Sequence, residues 1–432
     1  MRSEKKYLVD TSENRDFLRG QTDALLRFGH GFVSPGGGAY YLGDAGEPWK
    51  DRPRETWITA RMTHVYSMGA MLGHEGAKEL AASALSGLAG ELHDDEQGGW
   101  YAGRTADGGI LPDKQCYAHA FVILASCSAL LAGIDGADEL LKDALSVYDK
   151  YFWDEKEGLA KDTWDTDFKV LSTYRGLNAN MHTVEAFLAV ADVLGSSDRK
   201  SPAAGGDGGF DVGSLYRKRA GRIIDRTIGW AKENEYRIPE HFSESWEPDL
   251  ECNKEKPDDC FKPYGATPGH GIEWARLITQ WAVSTFGDDG EGAEPYIEAA
   301  KKLYDRAVSD AWNADGAPGI CYTTDWEGNP VVHDRMHWTL AEAINTSAVL
   351  YRVSKAAGED AGRYADDYER YMRYLDECVI DHKNGSWFHQ LDRENHLIGT
   401  VWPGKSDLYH AVQAMLIPYS EDVGVSIAVS LS

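Results

Sequence analysis

The chain has 432 residues, 42% of them hydrophobic and 11% aromatic, including 14 Trp and 22 Tyr, which supplies ample core material and excludes a disordered chain. Its 44 basic residues stand against 70 acidic ones for a net charge of −26, so nucleic acids and anionic membrane surfaces are excluded as partners by repulsion. Six scattered cysteines, no apolar segment after Met1 and no apolar window of bilayer length lead to the expectation of a soluble protein in a reducing cytoplasm.

Apolar residues recur at three-to-four spacing over 14–28, 55–73, 75–92, 114–132, 136–152, 178–194, 212–233, 270–286, 293–311, 337–356, 360–380 and 406–417, which predicts a succession of amphipathic helices. Strand-like alternation is short and repeats in kind. Asp94–Tyr101, Trp153–Leu159, Trp312–Gly316 and Asp381–Phe388 each follow a predicted helix and turn on glycine, the mark of repeated helical hairpins joined by tight turns. Ser196–Gly209 (SSDRKSPAAGGDGG) reads as a surface insertion, and the acidic run at 287–292 as a solvated loop. No linker divides the chain, so a single domain over 1–432 is expected. Cys252 and Cys260 bracket a polar loop but lack the second half of a zinc site.

Five stretches carry more polar chemistry than helix packing requires. Arg61 and His64 are three apart and share a helix face, and the guanidinium is a fixed cation suited to an oxyanion or a sugar hydroxyl. Asn178, His182 and Glu185 lie at i, i+4 and i+7, one polar stripe. Pro268-Gly269-His270 sits at a turn-to-helix junction, so His270 falls in a first turn, beside unpaired N–H groups and the positive end of the helix dipole. That setting suits a neutral, proton-accepting imidazole, with Glu273 one turn on and able to orient the ring. His337-Trp338 and Glu342 form a fourth set, Trp338 and Glu342 being four apart. Trp402-Pro403-Gly404, followed by His410, repeats the Pro-Gly-then-histidine pattern. The histidines are mixed with Asn, Arg and Trp, and no H-E-x-x-H occurs, which suits sugar hydroxyls better than metal ligation. A rival chemistry, glycoside hydrolysis, would draw on Glu240, Glu244, Glu247 and Asp249.

Taken in order, RMTHVYSM (61–68), GGWY (98–101), NANMHTVEAF (178–187), PEHF (239–242), TPGHGIEWARL (267–277), MHWTLAEA (336–343), WFHQLD (387–392) and WPGKSDLYHA (402–411) resemble the N-acylglucosamine 2-epimerase superfamily, from about residue 15 to 417. Within it the likeness is greatest to the branch that isomerises D-mannose or sulfoquinovose. The resemblance implies an all-α fold, an (α/α)6 barrel with short β-hairpins in its connecting loops. It implies that His270 and His410 are paired acid/base residues and that Arg61 holds the reacting oxygens. Tyr117, Asn178, His182, Glu273, Trp338, Glu342 and Gln390 would contact the sugar. The implied reaction is aldose–ketose isomerisation of D-mannose through a cis-enediolate, with sulfoquinovose isomerisation or C2 epimerisation as alternatives. It implies no cofactor, no metal and no partner beyond a monosaccharide, and leaves open whether the protein is a monomer or a homo-oligomer.

Overall fold

In the computed structural model, which describes residues 7–195, 212–287 and 292–432, the helical periodicity sorts into two kinds of helix. The first kind is α1 (Ser12–Phe28), α3 (Ala77–Leu88), α5 (Ala137–Val147), α7 (Val212–Glu233), α9 (Glu294–Ala311) and α11 (Gly362–Tyr374). These bury one stripe only. In α5 the buried residues are Ala137, Leu140, Leu141, Ala144 and Val147, the spacing of a helix packed on a core by one face.

The second kind is α2 (Thr56–Met71), α4 (Cys116–Leu131), α6 (Leu177–Leu194), α8 (Pro268–Phe286), α10 (His337–Ala356) and α12 (Tyr409–Leu416). These are buried nearly all round: every residue from Thr56 to Gly69 of α2 is buried. A helix without a solvent face must lie inside a ring of others. Accordingly α2, α4, α6, α8, α10 and α12 pack in sequence, α12 returns against α2, and each is backed by an outer helix, α1 on α12 and α3, α5, α7, α9 and α11 on the inner helix preceding each. The fold is an (α/α)6 barrel.

Two-residue strands set the rim at the N-terminal ends of the inner helices. Arg54–Glu55, just before α2, pairs with Gly103–Arg104; Lys114–Gln115, before α4, pairs with Thr163–Trp164. Arg175–Gly176, before α6, pairs with His241–Phe242, and Arg335–Met336, before α10, with Gln390–Leu391. Each pair ties the start of one inner helix to a loop of the next repeat, so the first turns of the inner helices face one common opening.

The predicted helices are present with trimmed ends. The segment expected at 136–152 leaves the α-helix at Val147 and closes through a π-helical turn to Phe152; the one at 360–380 does the same after Tyr374, through Val379. The last inner helix begins at Tyr409, not at 406; the Asp407 carboxylate, one residue before the N-cap Leu408, accepts the Tyr409 N–H at 2.9 Å. A short α13 (Ile427–Ser430) was not anticipated. The four glycine turns are hairpin turns, closed by backbone pairing of His93 with Trp100, Trp153 with Ala160, Trp312 with Ile320, and Ile380 with Trp387. The insertion expected at 196–209 and most of the acidic run 287–292 lie outside the described residues.

Candidate active site

The rim opens on a cavity of about 620 Å³, its mouth included, lined by Arg61, Tyr117, Asn178, His182, His270, Glu273, Trp338 and His410 among others. Eight of the ten residues expected from sequence thus line one cavity. Two do not. Glu342, fully buried one turn below Trp338 on α10, lies beneath the cavity floor and holds His410 from behind. Gln390 faces away from the cavity. Its side-chain amide nitrogen donates to Asp334 and Thr400, and its carbonyl oxygen takes the N–H groups of Val401 and Trp402, so it braces the loop that carries Trp402.

The two candidate acid/base histidines are held alike. His270 is the third residue of α8, with Pro268 opening the helix. Its Nδ1 lies 2.9 Å from Glu240 Oε1, so the carboxylate that orients this ring comes from the PEHF segment and not, as the helical spacing suggests, from Glu273. His410, in the first turn of α12, places Nδ1 3.1 Å from Glu342 Oε1. A carboxylate oxygen accepts, so Nδ1 of each ring carries a proton, and in the neutral form of either ring Nε2 is the base. Trp338 sits between them, its ring 4.8 Å from that of His270 and 6.0 Å from that of His410. Burial, with Arg61 and His337 close by, holds His410 well below the usual imidazole range, which keeps it neutral at physiological pH.

Glu342 also accepts from Arg276 Nε at 2.9 Å, and Arg276 reaches Glu273 at 3.5 Å. Burial, and then the neighbouring Glu342, push Glu273 well above the ordinary carboxyl range. Glu273 is therefore the more readily protonated of the two cavity carboxyls, Asp407 being held low, and its protonated form is a hydroxyl donor as well as an acceptor.

Arg61 is the cavity's cation. Its guanidinium bonds Tyr117 Oη at 2.8 Å and lies 3.4 Å from Asp407 Oδ2, and it sits over the rings of Trp57, Phe121 and Tyr409 at 4.9, 4.5 and 4.6 Å. Burial opposes its charge, but Tyr117, Asp407 and Tyr409 outweigh burial and hold it firmly protonated. Its buried Nε has no protein partner. His182 is anchored through Nδ1 to Glu185 at 3.2 Å, and Glu185 also takes Tyr409 Oη and Gln413. Burial first of all lowers His182 to about 4. His182, Glu185 and Glu273 bring ligand-type atoms within 4.8 Å of one another, but Arg276 and Arg61 already supply positive charge there.

Of the carboxylates available for glycoside hydrolysis, Glu244, Glu247 and Asp249 are exposed, and Glu240 is bonded to His270. They do not form an opposed pair across the cavity. His337 and Trp402, which belong to stretches singled out from the sequence, also line the cavity, whereas sequence reasoning missed Trp57, Phe261, Tyr322, His389 and Asp407. Asp407 carried a usable signal, a carboxylate just ahead of a helix start, where it can accept one of the unpaired first-turn N–H groups.

Residues 37–414 match the N-acylglucosamine 2-epimerase (GlcNAc 2-epimerase) family. The chain is 39% identical over 364 residues to a D-mannose isomerase of Pseudomonas cannabina pv. alisalensis, covering 84% of this chain and 82% of that protein. It is 36% identical over 413 residues to a D-mannose isomerase of Thermobifida fusca, covering 94% of each. A crystal structure of D-mannose isomerase superposes with a TM-score of 0.80 at 25% identity, over 93% of this chain and 97% of that one. A cellobiose 2-epimerase from Spirochaeta thermophila superposes at 0.76 with 20% identity, over 94% and 95%.

Proposed function

The chain belongs to the N-acylglucosamine 2-epimerase family, and from that premise we propose that it is a metal-independent sugar isomerase interconverting D-mannose and D-fructose. The observation that carries the reading is the pair of imidazoles, His270 and His410, each with Nδ1 tied to a buried carboxylate and both lining one cavity with Arg61. Relatives named D-mannose isomerase at 36% and 39% identity support the choice of sugar.

Aldose–ketose exchange removes the C2 proton next to the C1 carbonyl and returns a proton to C1. A neutral imidazole serves both steps, and such a group contributes about 10²- to 10⁴-fold in rate. In this reading His410 Nε2 takes the proton from C2, and the C2–H electron pair forms the C1–C2 double bond of a cis-enediolate. Negative charge gathers on O1, where the buried Arg61 stabilises it. His410 then returns the proton to C1 as the electrons at O2 form the new carbonyl. His270 moves protons on oxygen, first in ring opening and then at the enediolate. Six cysteines without disulfide partners fit a reducing cytoplasm as the place of action.

Mannose incubated with the enzyme in D2O and followed by NMR tests the reaction. Newly formed fructose is the expected result, with deuterium at C1 in proportion to how far the proton held on His410 exchanges with solvent before it is returned. Glucose labelled at C2 with no fructose would replace isomerisation by epimerisation. His270→Asn and His410→Asn each lower kcat at least about 10²-fold, and activity retained in either removes that residue from the pair.

A further inference from the structure

One wall of the cavity is unused by the mechanism above. His337 and His389 stack face to face, with ring centroids 3.7 Å apart and planes 11° from parallel, and both line the cavity. The hydrogen bonds around them fix their tautomers. His337 Nδ1 faces the His389 carbonyl oxygen at 3.3 Å, which only accepts, so this nitrogen carries the proton. His389 Nδ1 faces Ser406 Oγ at 3.5 Å, while the Ser406 hydroxyl gives its own hydrogen to Asp407 Oδ2 at 3.0 Å. Ser406 can then only accept from His389, and His389 Nδ1 is protonated too. Each ring is left with a bare Nε2. That of His389 is buried and has no partner in the protein, an unfavourable state unless a donor meets it.

We propose that the His337–His389 stack reads the substrate by accepting a hydrogen bond from a sugar hydroxyl at His389 Nε2, selecting uncharged hexoses over sugars that carry sulfonate or phosphate. A hydroxyl supplies the missing donor; a sulfonate or phosphate dianion brings only acceptors to a bare acceptor and is repelled. The charge on the cavity wall agrees. Among the described lining residues Arg61 is the one fixed cation, and Asp407 already faces it. The nearby Lys405 is fully buried on Asp381 and the Gly385 carbonyl. Burial and the paired ring keep His389 well below the usual imidazole range and burial lowers His337 to about 4, so neither turns into an anion-binding cation near neutral pH.

The inference rests on the isomerase reading and is tested separately from it, with mannose and its 3-, 4- and 6-deoxyfluoro analogues, in which fluorine replaces a hydroxyl and cannot donate. In the unmodified enzyme one analogue shows a KM raised about tenfold over mannose. In His389→Leu the KM for mannose itself rises by that factor, the analogue loses its disadvantage, and kcat stays within about threefold. His389→Gln, whose amide oxygen accepts, recovers most of the loss. Ser406→Ala, which frees the tautomer, gives a smaller version of the same pattern should the leucine variant fail to fold. Analogue-to-mannose KM ratios unchanged across these variants, or a kcat loss at constant KM, overturn the proposal. So does turnover of a 6-sulfonated or 6-phosphorylated sugar that matches mannose. If the unmodified enzyme does not isomerise mannose at all, the functional reading fails instead.

Discussion

At the scale of single residues, the site is built by pairing each imidazole with a carboxylate that fixes its tautomer. His270 has Glu240, His410 has Glu342 and His182 has Glu185. Replacing the carboxylate by its amide lets the ring present the wrong nitrogen. Glu240→Gln and Glu342→Gln are therefore expected to lower kcat about tenfold or more while KM stays within about threefold, as measured by initial rates on mannose. Equal changes in kcat and KM would show that these carboxylates shape binding instead. Sequence reasoning puts both histidines in the first turns of inner helices, where they lie, but pairs His270 with the wrong carboxylate. Glu273 is three residues away along α8, whereas Glu240 is thirty residues away and arrives through the strand pairing of His241–Phe242 with Arg175–Gly176. Helical spacing reports neighbours within one helix and is blind to such contacts. A similar limit explains Gln390. Successive residues of an extended segment point to opposite faces, so the residue facing the cavity is His389, one position earlier.

At the scale of elements, the glycine turns gain a second device that the sequence pattern did not reveal. Lys114 is fully buried, with Nζ 2.8 Å from Asp94 Oδ2 and 2.6 Å from the Gly98 carbonyl. Lys405 repeats this on Asp381 and Gly385 at 2.7 and 2.6 Å. In both turns the other carboxylate oxygen caps two backbone N–H groups. A buried charge that loses its partner costs about 3–5 kcal/mol. Lys405→Met, which strands Asp381, is expected to destabilise by that order in urea unfolding, and the double change with Asp381→Asn recovers part of it. A loss below about 1 kcal/mol would mean that the turn relaxes to let water reach the carboxylate. The helices themselves were legible because a stripe of apolar residues at helical spacing survives in any outer helix. Their ends were less so: α12 starts at Tyr409, whose N–H the Asp407 carboxylate accepts, three residues after the predicted start.

At the scale of the whole molecule, the barrel interior stores several histidines in their neutral form. Burial lowers His64, His182 and His337 to about 4 and His119 to about 3. In the unfolded chain these rings protonate near 6.5. Below that pH the unfolded state binds more protons than the folded one, so stability is complete above about 6.5 and is lost as pH falls toward 4. Raised carboxyls such as Glu273 act in the opposite sense. His119 isolates the effect, because it is remote from the cavity lining and structural, with Nδ1 bonded to the Gln115 carbonyl and Nε2 accepting the Trp100 N–H. In His119→Gln the loss of stability between pH 6.5 and 3 is expected to be shallower than in the parent, by up to one proton's worth of slope, read from unfolding free energies across that range. Parallel pH profiles would assign the acid loss to other groups.

The sequence by itself determined the order of the twelve barrel helices, the hairpin turns and the two histidines at inner-helix starts. Each of these is written in local spacing: apolar period, glycine, or a Pro-Gly break before a helix. Its motifs also pointed to the family that the chain belongs to. Only the tertiary structure decided which carboxylate serves which imidazole, that Glu342 supports from below the floor, and that His389 and not Gln390 lines the wall. Those relations join residues from different repeats, brought together by closure of six inner helices into one ring. No spacing along the chain encodes a distance across that ring.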